Sequence, residues 1–274
     1  MTNPNEIIPG VLFYSYNSLV RKEKVGFLSN HTLLLMLSGV FTLETSSEKI
    51  SLGKGAVLLI GKNQLGQITK TPAPEAYYET VVISLQDEIL RRIALEEHIQ
   101  VQHKYEGSPN TIIPSNDFLG GFFQSIVPYV RNPGQALTKE IGVLKVKEAV
   151  KLLLHVKPQL KNLLFDFSEP HKIDLQKFML NHFHYNVPLS EFAQLTGRSL
   201  AGFKRDFQKV FGMPPRQWLQ NRRLIEAKNL IESKKQKPSA IYLELGFESL
   251  SHFSTSYKKH FGKAPSASLT AANQ

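Results

Sequence analysis

The sequence predicts an α+β chain of two domains. Residues 1–168 read as a strand-rich barrel or sandwich followed by helices, and residues 169–274 as an all-α domain of two helix-turn-helix units joined by a linker helix. Three observations predict this. Hydrophobic periodicity changes from 2 to 3.6 near Gln86, one stretch of sequence recurs at an offset of 50, and positive charge is concentrated in the second domain.

In the first domain, residues 32–37 form an apolar run, Ser38-Gly39 offers a turn, and residues 40–44 alternate. Ile50 and Leu52 alternate into Gly53-Lys54-Gly55, and residues 56–60 and 77–85 read as further strands. Short strands between glycine turns suit a small barrel or sandwich. Phe13, Tyr14, Leu35, Phe41 and Tyr78 either line a ligand cavity or fill the core. Residues 87–98 and 116–131 carry helical spacing, the second expected to bend at Pro128. Residues 138–156 make a long amphipathic helix with Ile141, Leu144, Val146, Val150, Leu153 and Leu154 as apolar positions. Pro158 ends it, and Ser168-Glu169-Pro170 is the expected boundary.

The repeat aligns residues 199–215 with residues 249–265 without a gap, and seven of the 17 pairs are identical. In the first copy, residues 190–195 form a short amphipathic helix and Thr196-Gly197-Arg198 a turn. Ser199 is placed to cap a second helix. Leu200, Phe203, Phe207 and Val210 are expected on its buried face. Ala201, Lys204, Arg205 and Gln208 fall at i, i+3, i+4 and i+7 on another. Gly212 stops that helix before Pro214-Pro215. In the second copy residues 240–245 are the first helix and Gly246-Phe247 the turn. Leu250, Phe253 and Tyr257 are expected inward, with Ser251, Ser254, Thr255 and Lys258 outward. Between the copies, residues 217–231 read as one helix with Trp218, Leu219, Leu224, Ala227 and Leu230 partly buried. About 15 residues span roughly 22 Å, a length suited to placing two helices in successive major grooves about 34 Å apart. The small Ala201 admits close approach, and Lys204 and Arg205 can reach guanine edges or phosphates.

Charge agrees with that reading. The net charge is +10, with 16 basic and 8 acidic side chains from Glu169 onward against 17 and 15 before it. Such local excess suits a polyanion. The chain has no cysteine, which excludes disulfides and thiolate chemistry. No apolar stretch reaches the roughly 18 residues of a membrane helix, and the first twenty residues show no export signal, so a cytoplasmic protein is expected. His31 lacks a His-x-His companion, His98 and His103 are five apart, and His182 and His184 diverge on a helix. No metal, no cofactor and no catalytic centre are therefore expected. Gly53-Lys54-Gly55 lacks phosphate-loop spacing, and no Ser/His/Asp motif is visible.

Residues 172–268 resemble the AraC/XylS family of bacterial regulators. The carriers are the glycine-phenylalanine turn at Gly246-Phe247, Phe253-Ser254, Tyr257-Lys258-Lys259, Phe261-Gly262 and Pro265, with the first unit and linker helix alongside. The resemblance implies a sequence-specific DNA-binding transcription regulator, an activator, acting on double-stranded promoter DNA with RNA polymerase. By position it implies base reading by Ala201, Lys204 and Arg205 in the first unit. In the second it implies Leu250, Ser251, His252, Ser254 and Thr255. Tyr242, Thr255 and residues 266–269 depart from the family's usual residues. The strand-rich half is similar to the family's cupin-like domains. That implies control by a small molecule or a partner protein, and a homodimer through residues 138–156.

Overall fold

The computed structural model describes residues 5–23, 25–101, 103–131, 138–168 and 172–271. Its contacts divide into two compact units, Met1–Ser168 and Glu169–Gln274. Glu169 and Pro170 of the expected boundary lie outside the described residues.

The first unit opens with β1 (Asn5–Ile8), β2 (Leu12–Asn17), β3 (Arg21–Lys22), β4 (Gly26–Leu28), β5 (His31–Ser38) and β6 (Val40–Thr45). It continues with β7 (Lys49–Leu52), β8 (Val57–Ile60), β9 (Gln64–Thr71) and β10 (Tyr78–Leu85). Helix α1 (Asp87–Glu96), strand β11 (Thr111–Ile113) and helices α2 (Asp117–Arg131), α3 (Lys139–Val156) and α4 (Lys161–Leu164) complete it. One sheet has the order β1-β2-β10-β5-β8-β11. The other has the order β3-β9-β6-β7, with β4 also on β9. The two sheets share a core but do not close into one barrel, so the cupin-like expectation holds only approximately.

Period-2 alternation gives the first sheet two buried faces. Tyr78 of β10 and Leu34 and Met36 of β5 meet Phe41 and Leu43 between the sheets. Val81, Ile83 and Leu85 point the other way, to Ile89 of α1, Phe122 of α2 and Val146 of α3. That is why β8 (Val-Leu-Leu-Ile) is apolar at every position. Four of the five cavity candidates therefore separate: Phe41 and Tyr78 lie between the sheets, whereas Leu35 and Tyr14 pack on the helix side; the fifth, Phe13, is half-buried.

Helix α3 lies on this second core through Val146, Ala149, Val150 and Leu153. Gly142 makes the approach possible, since a Cβ there would stand 2.8 Å from Ile8 Cγ2. One expectation for α3 needs correction: Val150 is wholly buried inside its own unit, whereas Leu144, the other seam position, is 65% exposed. The outward stripe is otherwise polar, with Glu148, Lys151 and His155.

The second unit is helical: α5 (Leu175–His182), α6 (Leu189–Leu195), α7 (Leu200–Phe211), α8 (Pro215–Glu232), α9 (Pro238–Ile241), α10 (Leu250–Phe261) and α11 (Pro265–Ala271). Pro215 does more than end the preceding helix. It occupies the first position of α8, where a missing N–H costs nothing. The 18 residues of α8 span about 27 Å. Leu224, Ala227 and Ile231 of α8 form one core with Ile241, Leu245, Phe247, Phe253 and Tyr257. Among the described residues, no helix is long and apolar enough to cross a membrane.

Candidate nucleic-acid interface

The first helix-turn-helix is α6, a turn and α7. The buried Thr196 hydroxyl donates to Phe192 O at 2.8 Å, closing α6. Arg198 ties the turn down: Nε donates to Asp206 Oδ2 at 3.1 Å, and Nη1 to Thr196 O at 2.6 Å and Ile173 O at 3.1 Å. That arginine holds the Asp206 carboxyl below the usual carboxylate range. Ser199 Oγ accepts from Gly202 N at 3.1 Å, a cap worth about 1 kcal/mol. Gly212 ends α7 with φ of 70°. Phe203 and Phe207 anchor α7, and Phe207, Phe211 and Trp218 stack with centroids 4.4 to 5.6 Å apart.

The second unit repeats the plan with one residue more in its turn. Gly246 and Ser249 are three apart, whereas Gly197 and Ser199 are two apart. Ser249 Oγ accepts from His252 N at 3.2 Å, and Gly262 ends α10 with φ of 76°. Phe253 and Tyr257 are fully buried, and Tyr257 Oη bonds to Ser268 Oγ at 3.1 Å. The first helix expected over residues 240–245 starts earlier, at Pro238. As a helix it stops at Ile241, and turns follow to Gly246. Proline at the first helical position explains the earlier start.

On α7, Ala201, Lys204, Arg205 and Gln208 are all exposed on one face. Arg205 Nε lies 3.5 Å from Asp206, but its side chain stays 67% exposed. On α10, Ser251, His252, Thr255 and Lys258 are exposed, while Ser254 is half-buried. Three expected inward positions turn out to be exposed: Leu200, Val210 and Leu250. The buried stripe of each helix is narrower than its apolar pattern, because two aromatic rings already fill the contact. Trp218 and Leu230 are half-buried, as expected of a linker helix packed on both units.

Arg223 of α8 escaped the sequence reading. Its Nε donates to Phe183 O at 2.8 Å, Nη2 to Tyr185 O at 2.7 Å and Nη1 to Gly246 O at 3.1 Å. One guanidinium thus joins the end of α5, the linker helix and the second turn. Burial pushes it down to about 10, still charged at neutral pH. A Cβ at Gly246 would meet His184 O at 2.5 Å and Arg223 Cζ at 2.9 Å, so this turn accepts only glycine. The only sequence signal was an arginine in the middle of a partly apolar helix.

Two grooves meet at Pro188, Leu189 and Arg216. One, of about 560 Å³, runs along Leu200, Lys204 and Gln208. The other, of about 520 Å³, runs along Gln220 and Arg223 to Glu248 and His252. The two grooves share this wall and link the exposed faces of α7 and α10; the first is mostly apolar, with Lys204 and Arg216 at its lining, and the second is mixed. Two capped helices on one linker, with these grooves between them, define a tandem helix-turn-helix protein.

Known proteins agree. Residues 192–270 match the family described as a helix-turn-helix domain, and residues 31–164 match the ExsA N-terminal regulatory domain. The chain is 35% identical over 130 residues to the HTH-type transcriptional regulator ExsA of Pseudomonas aeruginosa, which covers 47% of each chain. It is 40% identical over 92 residues to the virulence regulon transcriptional activator VirF of Yersinia enterocolitica, which covers 34% of each. The aligned stretches thus span about half of ExsA and a third of VirF. ToxT of Vibrio cholerae superimposes over 95% of this chain and 97% of its own, at 13% identity and a TM-score of 0.46. In both units the chain is similar to transcription regulators of the AraC/XylS kind.

Proposed function

We propose that the chain is a sequence-specific transcription activator, with the second unit binding promoter DNA and the first controlling it. The observation that carries this is the exposed constellation Ala201, Lys204, Arg205 and Gln208 on a capped, aromatic-anchored helix, repeated in reduced form on α10. In this reading Lys204, Arg205 and Gln208 contact base edges and Ala201 admits the helix to the groove. Ser251, His252 and Thr255 face the second groove, with Ser254 at its margin, and Lys258 holds phosphate. Activation, and with it contact to RNA polymerase, is favoured by the activator name of the VirF relative. Control through residues 1–168, by a small molecule or a partner protein, is favoured by the match to a regulatory domain. A homodimer through α3 is the weaker part of the proposal, because only Leu144 on its outward stripe is strongly apolar.

The test is binding-site selection with the full chain, then transcription from the selected promoter. Enrichment of one motif, lost in Lys204→Ala with Arg205→Ala while the far-ultraviolet circular dichroism is unchanged, is the expected result. Retention of the motif by that double variant would overturn the assignment of α7 as the reading helix.

A further inference from the structure

The two helix-turn-helix motifs carry their positive charge in different places. On the first, Lys204 and Arg205 stand exposed on α7. On the second, the corresponding Ser254 and Thr255 of α10 are neutral. The chain that enters each first helix shows the reverse. Because the second turn is one residue longer, the recognition helices correspond at an offset of 50 and the helices before them at 49. Gly197 then matches Gly246, and the buried Phe192 matches the buried Ile241. Pro188, which precedes α6, matches Lys237, which precedes α9. Before α6 the chain reads Tyr185-Asn186-Val187, without a cation. Before α9 it reads Lys234-Lys235-Gln236 and then Lys237, all exposed.

This strap has a fixed course. The Gln236 N–H donates to Leu230 O at 3.1 Å and folds the chain back on the end of α8, and the Ala240 N–H donates to Lys237 O at 2.9 Å as α9 begins. Lys235 takes a φ of 54°, where the backbone by itself favours glycine or asparagine. Glu232, the acid at the end of α8, is already taken by Lys228 at 3.9 Å and Lys263 at 3.1 Å. Among the described residues, neither Lys234 nor Lys237 has a carboxylate within ion-pair distance. Like charges held this close repel, and an anion alongside relieves them. The first motif shows what the strap adjoins. There one groove is lined by Pro188, Leu189 and Ser190 together with Leu200, Lys204 and Gln208 of the recognition helix. By the correspondence, Lys237, Pro238 and Ser239 flank Leu250, Ser254 and Lys258 of α10, so Lys258 extends the same basic row.

In a helix-turn-helix the second helix enters the major groove and the first crosses the sugar-phosphate backbone. We propose that Lys234, Lys235 and Lys237 bind phosphates of the strand bordering the groove that α10 enters, as a sequence-independent clamp on the second half of the site. The clamp supplies the charge that α10 lacks. It holds the second motif on any sequence, and base reading stays with α7. The proposal rests on the DNA-binding reading above and adds to it three residues and the phosphates they take.

The experiment compares the full chain with the triple variant Lys234→Gln, Lys235→Asn and Lys237→Gln, in which asparagine suits the left-handed backbone. Binding to the selected duplex and to a random duplex of equal length is titrated from about 50 to 200 mM salt. Loss of three phosphate contacts lowers the slope of log affinity against log salt by about 2 to 3, so over that range the parent's affinity falls about 40-fold more than the variant's. Both duplexes lose affinity by the same factor, while the selected motif and the far-ultraviolet circular dichroism are unchanged. Because the chain has no cysteine, Lys237→Cys offers a single thiol for an iron-chelate cleavage reagent. Strand cuts are expected in the half of the site away from the α7 motif, at one border of its major groove. An unchanged slope in the triple variant, a loss confined to the selected duplex, or cuts confined to the α7 half overturns the clamp. A parent that binds no duplex overturns the DNA-binding reading and the clamp together. A motif that survives Lys204→Ala with Arg205→Ala overturns only the assignment of α7, since the slope tests the clamp by itself.

Discussion

At the scale of single residues, the exposed cations of the recognition helices were legible and the buried ones were not. Arg205 follows from period and charge. Arg205→Ala is expected to cost about 1–3 kcal/mol at a cognate site and to relax one base position. Lys258→Ala, on a phosphate, should weaken all sequences alike and lower the salt slope by about one. Fluorescence-anisotropy titrations at several salt concentrations distinguish the two, and equal loss on cognate and random DNA in Arg205→Ala contradicts base reading. Arg223 and Lys70 were missed because an isolated basic residue in an apolar pattern looks the same in sequence whether its head reaches solvent or not. Arg223→Met leaves three backbone carbonyls without their donor, so a loss of about 3 kcal/mol or more is expected in the second unit. The single tryptophan, Trp218, packs on Phe207 and Phe211, so its fluorescence reports that unit's unfolding. An unchanged urea midpoint in Arg223→Met would show the three contacts to be idle. Lys70, 5% exposed, has the opposite sign. Its folded value, about 8, lies below the unfolded 10.5. Below both, the buried charge destabilises the fold; between them the unfolded chain alone holds the proton, and stability rises with pH by up to about 3 kcal/mol. Lys70→Met should therefore unfold at a higher temperature than the parent at pH 7. The gap should close towards pH 10.5, and a pH-independent gap in calorimetry would contradict the burial argument.

At the scale of elements, caps and breakers located the second unit's helices more reliably than apolar spacing did. Ser199, Ser249, Gly212 and Gly262 stand where the repeat placed them, because each is set by a local backbone requirement. Apolar spacing overreached: Leu200, Val210 and Leu250 fit the period but stay exposed, since periodicity gives a face and not its width. The same excess shaped the reading of α3. Val150 cannot belong to a dimer seam, for it is part of the core, and replacing it by an acid would unfold the first unit. Leu144 alone remains to test the seam. If copies meet along α3, Leu144→Glu should sediment as a folded monomer at concentrations where the parent is a dimer. A parent that is itself monomeric, or a variant that still dimerises, places the seam elsewhere. In the first unit the turn at Gly39 and the run at β8 were legible, but β9 was not named. Its sequence, Gln-Leu-Gly-Gln-Ile-Thr-Lys-Thr, puts a lysine and a glycine inward, contrary to simple alternation.

At the scale of the whole molecule, duplication fixed the architecture of the second unit and left its asymmetry to be read from surface chemistry. The outward face of α7 carries Lys204, Arg205 and Gln208 beside the small Ala201. That of α10 carries Ser251, His252, Thr255 and one lysine, Lys258, with Ser254 partly withdrawn. Arginine or lysine to guanine is the commonest specific contact, and a good bidentate pair discriminates by about 1–3 kcal/mol, whereas hydroxyls are short and less selective. The scaffold beneath is also unequal. The first turn is tied by Arg198 to Asp206 and to two carbonyls. The second is one residue longer, follows only a single helical turn at α9, and hangs on Arg223 from outside. Rigid placement is needed for a bidentate contact and much less for a phosphate. The first unit should therefore supply most of the sequence specificity and the second mostly position the chain. In binding-site selection, information is expected to concentrate in one half of a site of about 20 base pairs, two turns of the duplex. Converting Ser251 or Thr255 to alanine should then lower affinity less than twofold to threefold, whereas Arg205→Ala removes the preference at its base. Equal constraint in both halves, or dominance of the half under α10, would show that α10 reads bases after all. Leu250 and His252, the exposed side chains at its amino-terminal turn, would then be the ones that read them.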